Sequence, residues 1–351
     1  MNKLTKVGFS ALCGSLAAIS AANAGELAVT GGAHMTYVSH AGNQNGNPIG
    51  MASAVTFKGA GELDNGWTYG FATDFLDKDV YSASRINITM GGFGTIEFDQ
   101  GNSGNGIAAY DNVMPTAWEE PHGAGVSGGI MTVLGAGASN NIQYSSPVMA
   151  PEVVGAEFAI TYARDYGSAD TADKTYTATE DVYDTATDIT FKVNPSLGTE
   201  ILSGLNIYGG ASEIAVHGNG NIENNLLQGV AAVTYALGPI EAGYMWSALY
   251  DGQDDVTNTY HTYKNQGFGI AFNVNDDLSA SYGKYSSRKA GYTTSDVQTG
   301  PDDRFAEVSS LQIAYTMGGA SIRLANVATQ NEGFAAGVDN TATIVSMGLA
   351  F

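Results

Sequence analysis

The side chains that could do chemistry are mostly acids, and their spacing does not suggest a catalytic or metal site. The chain has 35 Asp and Glu residues against 14 Lys and Arg residues. Paired acids such as Asp254-Asp255, Asp276-Asp277 and Asp302-Asp303 fall in predicted loops. Plain solvation is the favoured interpretation of these pairs, and weak Ca²⁺ binding is the alternative. We therefore expect no resident metal or cofactor.

The other groups that enzymes use are scattered. The segment from Gly123 to Gly128 fits a dinucleotide fingerprint by letter, but no strand precedes it and no helix follows it. The five histidines also lack the spacing of metal ligands; they are His34, His40, His122, His217 and His261. No motif supports an enzyme, so we expect none.

Residues 1–24 are typical of a secretory signal peptide. Lys3 and Lys6 precede an apolar run, and Ala22-Asn23-Ala24 supplies a small-residue cleavage site. The run is shorter than the roughly 20 apolar residues of a membrane-spanning helix. Cys13 lies inside this signal, so the predicted mature domain, residues 25–351, has no cysteine and no disulfide.

Charge excludes one class of partner. Cleavage of the signal removes Lys3 and Lys6, so the 14 basic residues become 12 against 35 acids, a net charge of −23. Such an acidic chain would repel phosphate groups, and we expect no nucleic acid partner. An acidic pore that favours cations and an ordinary solvated acidic surface are both compatible with this charge.

The dominant period of the sequence is two. In Ser84–Met90, Thr187–Val193 and Ile240–Tyr250, apolar residues alternate with small or polar ones, and the last strand does the same up to Phe351. Strict alternation indicates strands with one apolar and one polar face. Short turns such as Leu63–Gly66 alternate with long polar segments, which is typical of outer-membrane barrels.

The number of alternating segments is sixteen, from Leu27–His40 to Thr341–Phe351, with fourteen or eighteen as alternatives. A sheet that crosses hydrocarbon must close on itself, because unpaired edge groups would cost several kcal/mol each. We therefore predict an all-β fold, a closed antiparallel transmembrane β-barrel. Sixteen strands leave an aqueous channel instead of a side-chain core.

Several segments resemble the general-diffusion porins of Gram-negative outer membranes, most closely the alphaproteobacterial kind. These are Glu26–Gly32, Phe57–Trp67, Gly92–Phe98 and the terminal Phe351. The resemblance implies passive diffusion of small hydrophilic solutes and ions, a homotrimer, and contact with outer-membrane lipid and lipopolysaccharide. It also implies that Phe351 is the signal read by the barrel-assembly machinery.

In that family the third external loop folds into the barrel and narrows it. Here the longest connection, Asn102 to Ser139, occupies the same place and carries Asp111, Glu119 and Glu120. The resemblance implies that these acids face Lys58 and Arg85 across a constriction, with Lys192 and Arg323 as further lumen charges. We expect moderate cation selectivity. A substrate-specific channel of the same fold is the alternative, and an adhesin or structural barrel would share the fold signals.

Overall fold

The computed structural model describes residues 26–41, 47–77, 82–101, 104–124, 128–167, 182–217, 224–252, 262–290 and 305–351. The predicted signal peptide and the acid pairs Asp254-Asp255 and Asp302-Asp303 lie outside these residues. The strands are β1 Glu26–Ala41, β2 Ile49–Glu62, β3 Thr68–Leu76, β4 Ala83–Thr89, β5 Thr95–Gln100, β6 Asn140–Ser145, β7 Ala156–Ala163, β8 Tyr183–Val193, β9 Leu205–Val216, β10 Leu226–Leu237, β11 Ile240–Tyr250, β12 Thr262–Asn273, β13 Leu278–Ala290, β14 Phe305–Met317, β15 Ala320–Gln330 and β16 Asn340–Ala350.

These strands form one closed antiparallel barrel in which each strand pairs with its neighbours in sequence. The ring closes where β1 pairs with β16, from Gly32 opposite Ala350 to Ala41 opposite Thr341. Closure leaves no strand edge unpaired, as a sheet in hydrocarbon requires. The predicted fold class and the count of sixteen strands are confirmed.

Alternating exposure separates the two faces of the wall. In β16, Val345, Met347 and Leu349 are about half exposed on the outside, whereas Ile344 and Ser346 are buried on the inside. The apolar face predicted for Ile240–Tyr250 is likewise outward, since Trp246 is 52% exposed and Met245 only 3%. The outer wall is thus an apolar surface suited to lipid.

The connections are unequal at the two ends of the barrel. Tight turns join β10 to β11 at Gly238 and β14 to β15 at Gly318, both with positive φ that glycine adopts without strain. Longer connections join the opposite strand ends, such as residues 251–261 between β11 and β12. Short turns on one side and long loops on the other are the pattern of outer-membrane barrels. No helix in the described residues is long and apolar enough to span a membrane.

Candidate functional site

The connection between β5 and β6, residues 101–139, is called here the inner loop, and its described residues are 101, 104–124 and 128–139. It contains two short 3₁₀ turns, Gly106–Tyr110 and Gly135–Ala138. Its backbone binds side chains that point inward from the wall, including the amide oxygen of Gln143 on β6, which accepts the Gly106 N–H at 2.8 Å. The described part of the loop therefore lies against the inner face of the barrel wall.

Asp188 on β8 holds both 3₁₀ turns. Its carboxylate accepts the N–H of Ile107 at 2.9 Å and the N–H of Ala136 at 3.0 Å. Backbone N–H groups at the start of a helical turn have no partner within the turn, so one carboxylate satisfies donors from both ends of the loop. Asp188 is fully buried by this arrangement.

Glutamine side chains anchor two further points. Gln312 on β14 accepts the N–H groups of Trp118 and Glu119, both at 3.1 Å, and donates to the Glu119 carbonyl at 2.6 Å. Gln228 on β10 accepts the N–H groups of Leu134 and Gly135 at 2.9 and 3.2 Å. An amide can accept and donate at once, so it pairs well with irregular backbone.

Serines of β13 complete the attachment. Ser281 accepts the N–H of Ala117 at 2.8 Å, and Ser287 accepts the N–H of Met131 at 2.9 Å. Inward side chains of β6, β8, β10, β13 and β14 thus accept hydrogen bonds from the loop backbone. The hydrophobic cluster that contains the loop residues Trp118 and Val133 also includes Val327 on β15 and Ile344 on β16.

Two glycines let the loop approach the wall closely. A Cβ atom at Gly269 on β12 would come within 2.6 Å of the Pro115 carbonyl oxygen, and one at Gly283 on β13 within 2.7 Å of the Pro121 ring. Any larger residue would push the loop away from the wall. The stiff prolines of the loop therefore face positions that have no side chain.

Asp111 and Glu120, two of the three predicted constriction acids, lie between the loop and the wall. Asp111 is 8% exposed, and one of its carboxylate oxygens has no hydrogen-bond partner among the described residues. Burial, with Glu120 nearby, raises the pKa of Asp111 to about 7. Burial, with Glu119 adding to it, raises the pKa of Glu120 to about 7. Both carboxyl groups are therefore partly protonated at neutral pH.

A buried tyrosine and a histidine surround this acid pair. The Tyr285 ring on β13 is 1% exposed and lies 5.0 Å from the His122 ring, centroid to centroid. Burial lowers the pKa of His122, so this histidine is neutral at pH 7 and does not offset the carboxylates. The cluster thus has no cation among its described members.

Glu119, the third predicted acid, lies near Arg323. Burial raises the pKa of Glu119, while the Arg323 guanidinium acts to lower it. Arg323 also lies over the Trp118 ring, with 5.8 Å from its guanidinium carbon to the ring centroid. The structure therefore places Arg323 against Trp118, the residue before Glu119, so that its charge acts on the Glu119 carboxylate.

The other predicted bases occupy different parts of the wall. Lys58 is exposed on the inner face of β2, and Arg85 on β4 pairs in register with Asp99 on β5. Lys192 on β8 forms an ion pair of 3.5 Å with Glu157. Lys58, Arg85 and Lys192 thus lie on three different strands of the wall, and their role at a constriction stays a prediction.

Aromatic side chains line the lumen beside Lys192. The Tyr110 ring of the loop meets the Tyr208 ring of β9 edge to face at 5.2 Å, and the Lys192 amine lies 5.9 Å from the Tyr208 centroid. Near the long-loop end, Phe334 contacts Tyr263 and lies 4.5 Å below the Lys289 amine. The same turn touches the inner loop, because the Gly333 N–H donates to the Gly128 carbonyl at 3.1 Å.

Reasoning from sequence missed the anchors of the loop. Asp188, Gln228 and Gln312 are polar residues on the inward face of their strands, so alternation places them correctly but assigns them no role. The available signal was an acid, Asp188, in the middle of the inward face of β8. The described residues contain no group of three His, Cys, Asp or Glu side chains that could hold a metal ion.

Comparison with known proteins supports the fold. No family model matches the chain, and no curated protein sequence matches it. Among solved structures, Salmonella typhi OmpF, determined in complex with daunomycin, aligns with a TM-score of 0.66 at 11% identity. This alignment covers 95% of this chain and 100% of that one.

Two further structures align at similar levels. OmpT of Vibrio cholerae has a TM-score of 0.61 at 10% identity and covers 95% of this chain and 100% of its own. The outer-membrane channel DcaP of Acinetobacter baumannii has a TM-score of 0.58 at 8% identity, covering 96% and 100%. Identities this low show the fold alone. A closed 16-strand barrel with an apolar outer wall and such neighbours indicates a Gram-negative outer-membrane protein with the porin fold.

Proposed function

We propose that this chain is an outer-membrane porin that lets small hydrophilic solutes and ions diffuse passively through its lumen. The observation that carries the proposal is the attachment of the inner loop. Asp188, Gln228 and Gln312 hold it against one wall of a barrel whose sixteen strands otherwise enclose a wide aqueous space. A fixed loop of this kind would set the size limit for solutes.

We propose moderate cation selectivity from the charge of the chain, in which 35 acids outnumber 14 bases. Two charges about 8 Å apart interact by roughly 2 kcal/mol at an effective dielectric of 20. Salt screens such interactions over about 8–10 Å. Charges at the narrowest level can therefore select ions, whereas distant acids only raise the local cation concentration.

Two effects reduce the negative charge of the loop acids. Asp111 and Glu120 are partly protonated at neutral pH, and the positive charge of Arg323 acts on Glu119. We propose that Lys58 on β2 and Arg85 on β4 supply the positive charge that these acids face. We therefore propose that the cation preference is modest and grows as the loop acids ionise. We further propose a homotrimer, lipid and lipopolysaccharide as surroundings, and no enzymatic activity.

A substrate-specific channel is a second candidate, because Tyr110 and Tyr208 form an aromatic face beside Lys192. Aromatic faces bind sugar rings by stacking. If this candidate holds, a sugar added at millimolar concentration will block the single-channel current of the wild type. The same sugar will then leave the double variant Tyr110→Ala/Tyr208→Ala unblocked.

The deciding experiment is single-channel recording of the refolded protein in a planar bilayer, with the reversal potential measured under a KCl gradient. Large current steps that arrive in threes and a bias toward K⁺ are the expected result. In the triple variant Asp111→Asn/Glu119→Gln/Glu120→Gln the bias should shrink, whereas Lys58→Gln/Arg85→Gln should enlarge it. A correctly folded barrel that conducts nothing would refute the porin function.

A further inference from the structure

The outer wall carries charged side chains on three adjacent strands. On β13, Tyr282 is 41% exposed on the outside and Tyr285 is buried on the inside, so Lys284 and Arg288 point outward with Tyr282. Lys264 on β12 is directly opposite Arg288 in register. Side chains opposite each other in an antiparallel pair share one face. Lys264, Lys284 and Arg288 are called here the basic patch.

One carboxylate belongs to the same surface. Glu307 on β14 is opposite Ser286, and its carboxylate lies 2.8 Å from the Lys284 amine. The outward residues between these charges are polar too, namely Gln266 on β12 and Ser309 on β14. Among the residues that the structure describes, this surface holds three cations and one anion, although acids outnumber bases in the whole chain by 35 to 14.

The patch lies on the half of the wall nearer the long loops. The outward face of β14 is apolar from Met317 to Leu311, which is about 15 Å at roughly 2.5 Å of height per residue of a tilted strand. On β10 the outward face stays apolar from Leu237 to Leu227, which is about 25 Å on the same scale. The basic patch therefore lies at a height at which the outward face of β10 is still apolar and would contact the hydrocarbon of the outer leaflet.

Charged groups in hydrocarbon are costly, so something polar must cover this surface. We propose that the basic patch binds the phosphate-bearing headgroup of a lipid in the outer leaflet. Its acyl chains would then lie against the apolar wall below. The wall complements such a lipid along its length. The cations would face its phosphate groups, and the exposed Phe268, Leu311 and Ile313 would face its acyl chains. Arg288 suits phosphate, which its guanidinium can bind through two parallel hydrogen bonds.

A second copy of the chain fits this surface less well. Interfaces between identical subunits are depleted in lysine and in unbalanced charge at their centre. The patch instead combines an excess of positive charge with an amphipathic wall, which an anionic lipid complements on both counts. The proposal rests on the placement of the barrel in the outer membrane and not on channel activity.

The test measures binding of bisphosphoryl lipid A to the detergent-purified protein by native mass spectrometry, with the monophosphoryl form as a comparison. In Lys264→Gln/Arg288→Gln we expect about 30-fold weaker binding, since each basic residue near an anionic lipid surface contributes roughly fivefold. Lys58→Gln/Arg85→Gln removes the same charge from the inner wall and should bind as the wild type does. Lys284 is left in place because its removal would strand Glu307.

Folding of each variant is checked by its heat-dependent mobility on a gel. Equal affinity in the two double variants would overturn the proposal, as would displacement of the lipid by an equal concentration of inorganic phosphate. A Lys264→Gln/Arg288→Gln protein that loses its oligomer but keeps its lipid affinity would identify the patch as a subunit contact instead.

Discussion

Asp188 receives backbone N–H groups from both 3₁₀ turns of the inner loop, at Ile107 and Ala136. A buried donor left without an acceptor costs about 1–3 kcal/mol, so Asp188→Ala should loosen the loop while the barrel stays folded. We expect larger open-channel current noise in single-channel recordings. Asp74→Ala is the matched control, because the Asp74 carboxylate accepts the Thr56 hydroxyl of the neighbouring strand and no N–H of the inner loop. Equal noise in the two variants would contradict the anchoring role.

Asp111 and Glu120 make the attachment of the loop depend on pH. Burial in the packed loop raises the pKa of each to about 7, whereas in a detached loop both would return to ordinary acidic values. Between about pH 4 and pH 7 the packed loop therefore binds more protons, and its stability falls as the pH rises through this range. Channel noise should thus be lower at pH 5.5 than at pH 8.5.

The matched variant for this prediction is Asp111→Asn/Glu120→Gln, which keeps the shape of both side chains and removes their titration. We expect its noise to stay nearly constant between pH 5.5 and pH 8.5. A pH dependence as large as that of the wild type would place the responsible groups elsewhere. Cation preference should also rise with pH in the wild type, because more carboxylates are ionised.

At the scale of elements, the contact between the inner loop and strands β12 and β13 depends on the absence of side chains. A Cβ at Gly269 would meet the Pro115 carbonyl at 2.6 Å, so Gly269→Val should push the loop toward the open side of the lumen. We expect a smaller single-channel conductance from a barrel that still folds. Gly59→Val is the control, since nothing lies within 4 Å of a Cβ there. An unchanged conductance in Gly269→Val would mean that the loop adapts.

The strands could be predicted from sequence and the path of the loop could not. In segments such as Thr187–Val193, residues that face lipid alternate with residues that face the lumen. This pattern lies within a few neighbouring residues, so it predicts each strand and its two faces. The hydrogen bond from Ile107 to Asp188 joins residues 81 positions apart, and no local pattern encodes it. The resemblance placed acids in the loop, but burial of Asp111 and Glu120 depends on the wall behind them.

The whole barrel closes through the pairing of its two ends, and closure was predictable because an open edge in hydrocarbon is costly. Because the number of strands is even, the start of β1 and the end of β16 lie at the same end of the barrel, that of the tight turns. The polar outward face of β12 to β14, in contrast, was not predicted from the sequence. On the outward face of β13 the apolar residues end at Tyr282 and on that of β14 they end at Leu311, and only the register of the two strands brings Lys284 and Glu307 to 2.8 Å.

Phe351 lies where β16 closes the barrel against β1, and its substitution can distinguish a role in folding from a role in cellular assembly. Its N–H and carbonyl exchange hydrogen bonds of 2.9 Å with Gly31, which any residue could make, while its ring is 55% exposed on the outside. Phe351→Ala should therefore refold in detergent with nearly wild-type yield, because the backbone pairing remains. In cells the same variant should reach the outer membrane poorly, if the assembly machinery reads the ring. Leu349→Ala, which removes a similarly exposed outward side chain two residues earlier, is the control. A Phe351→Ala protein that assembles normally in cells would remove the ring as a signal, and one that fails to refold in detergent would make it a structural residue.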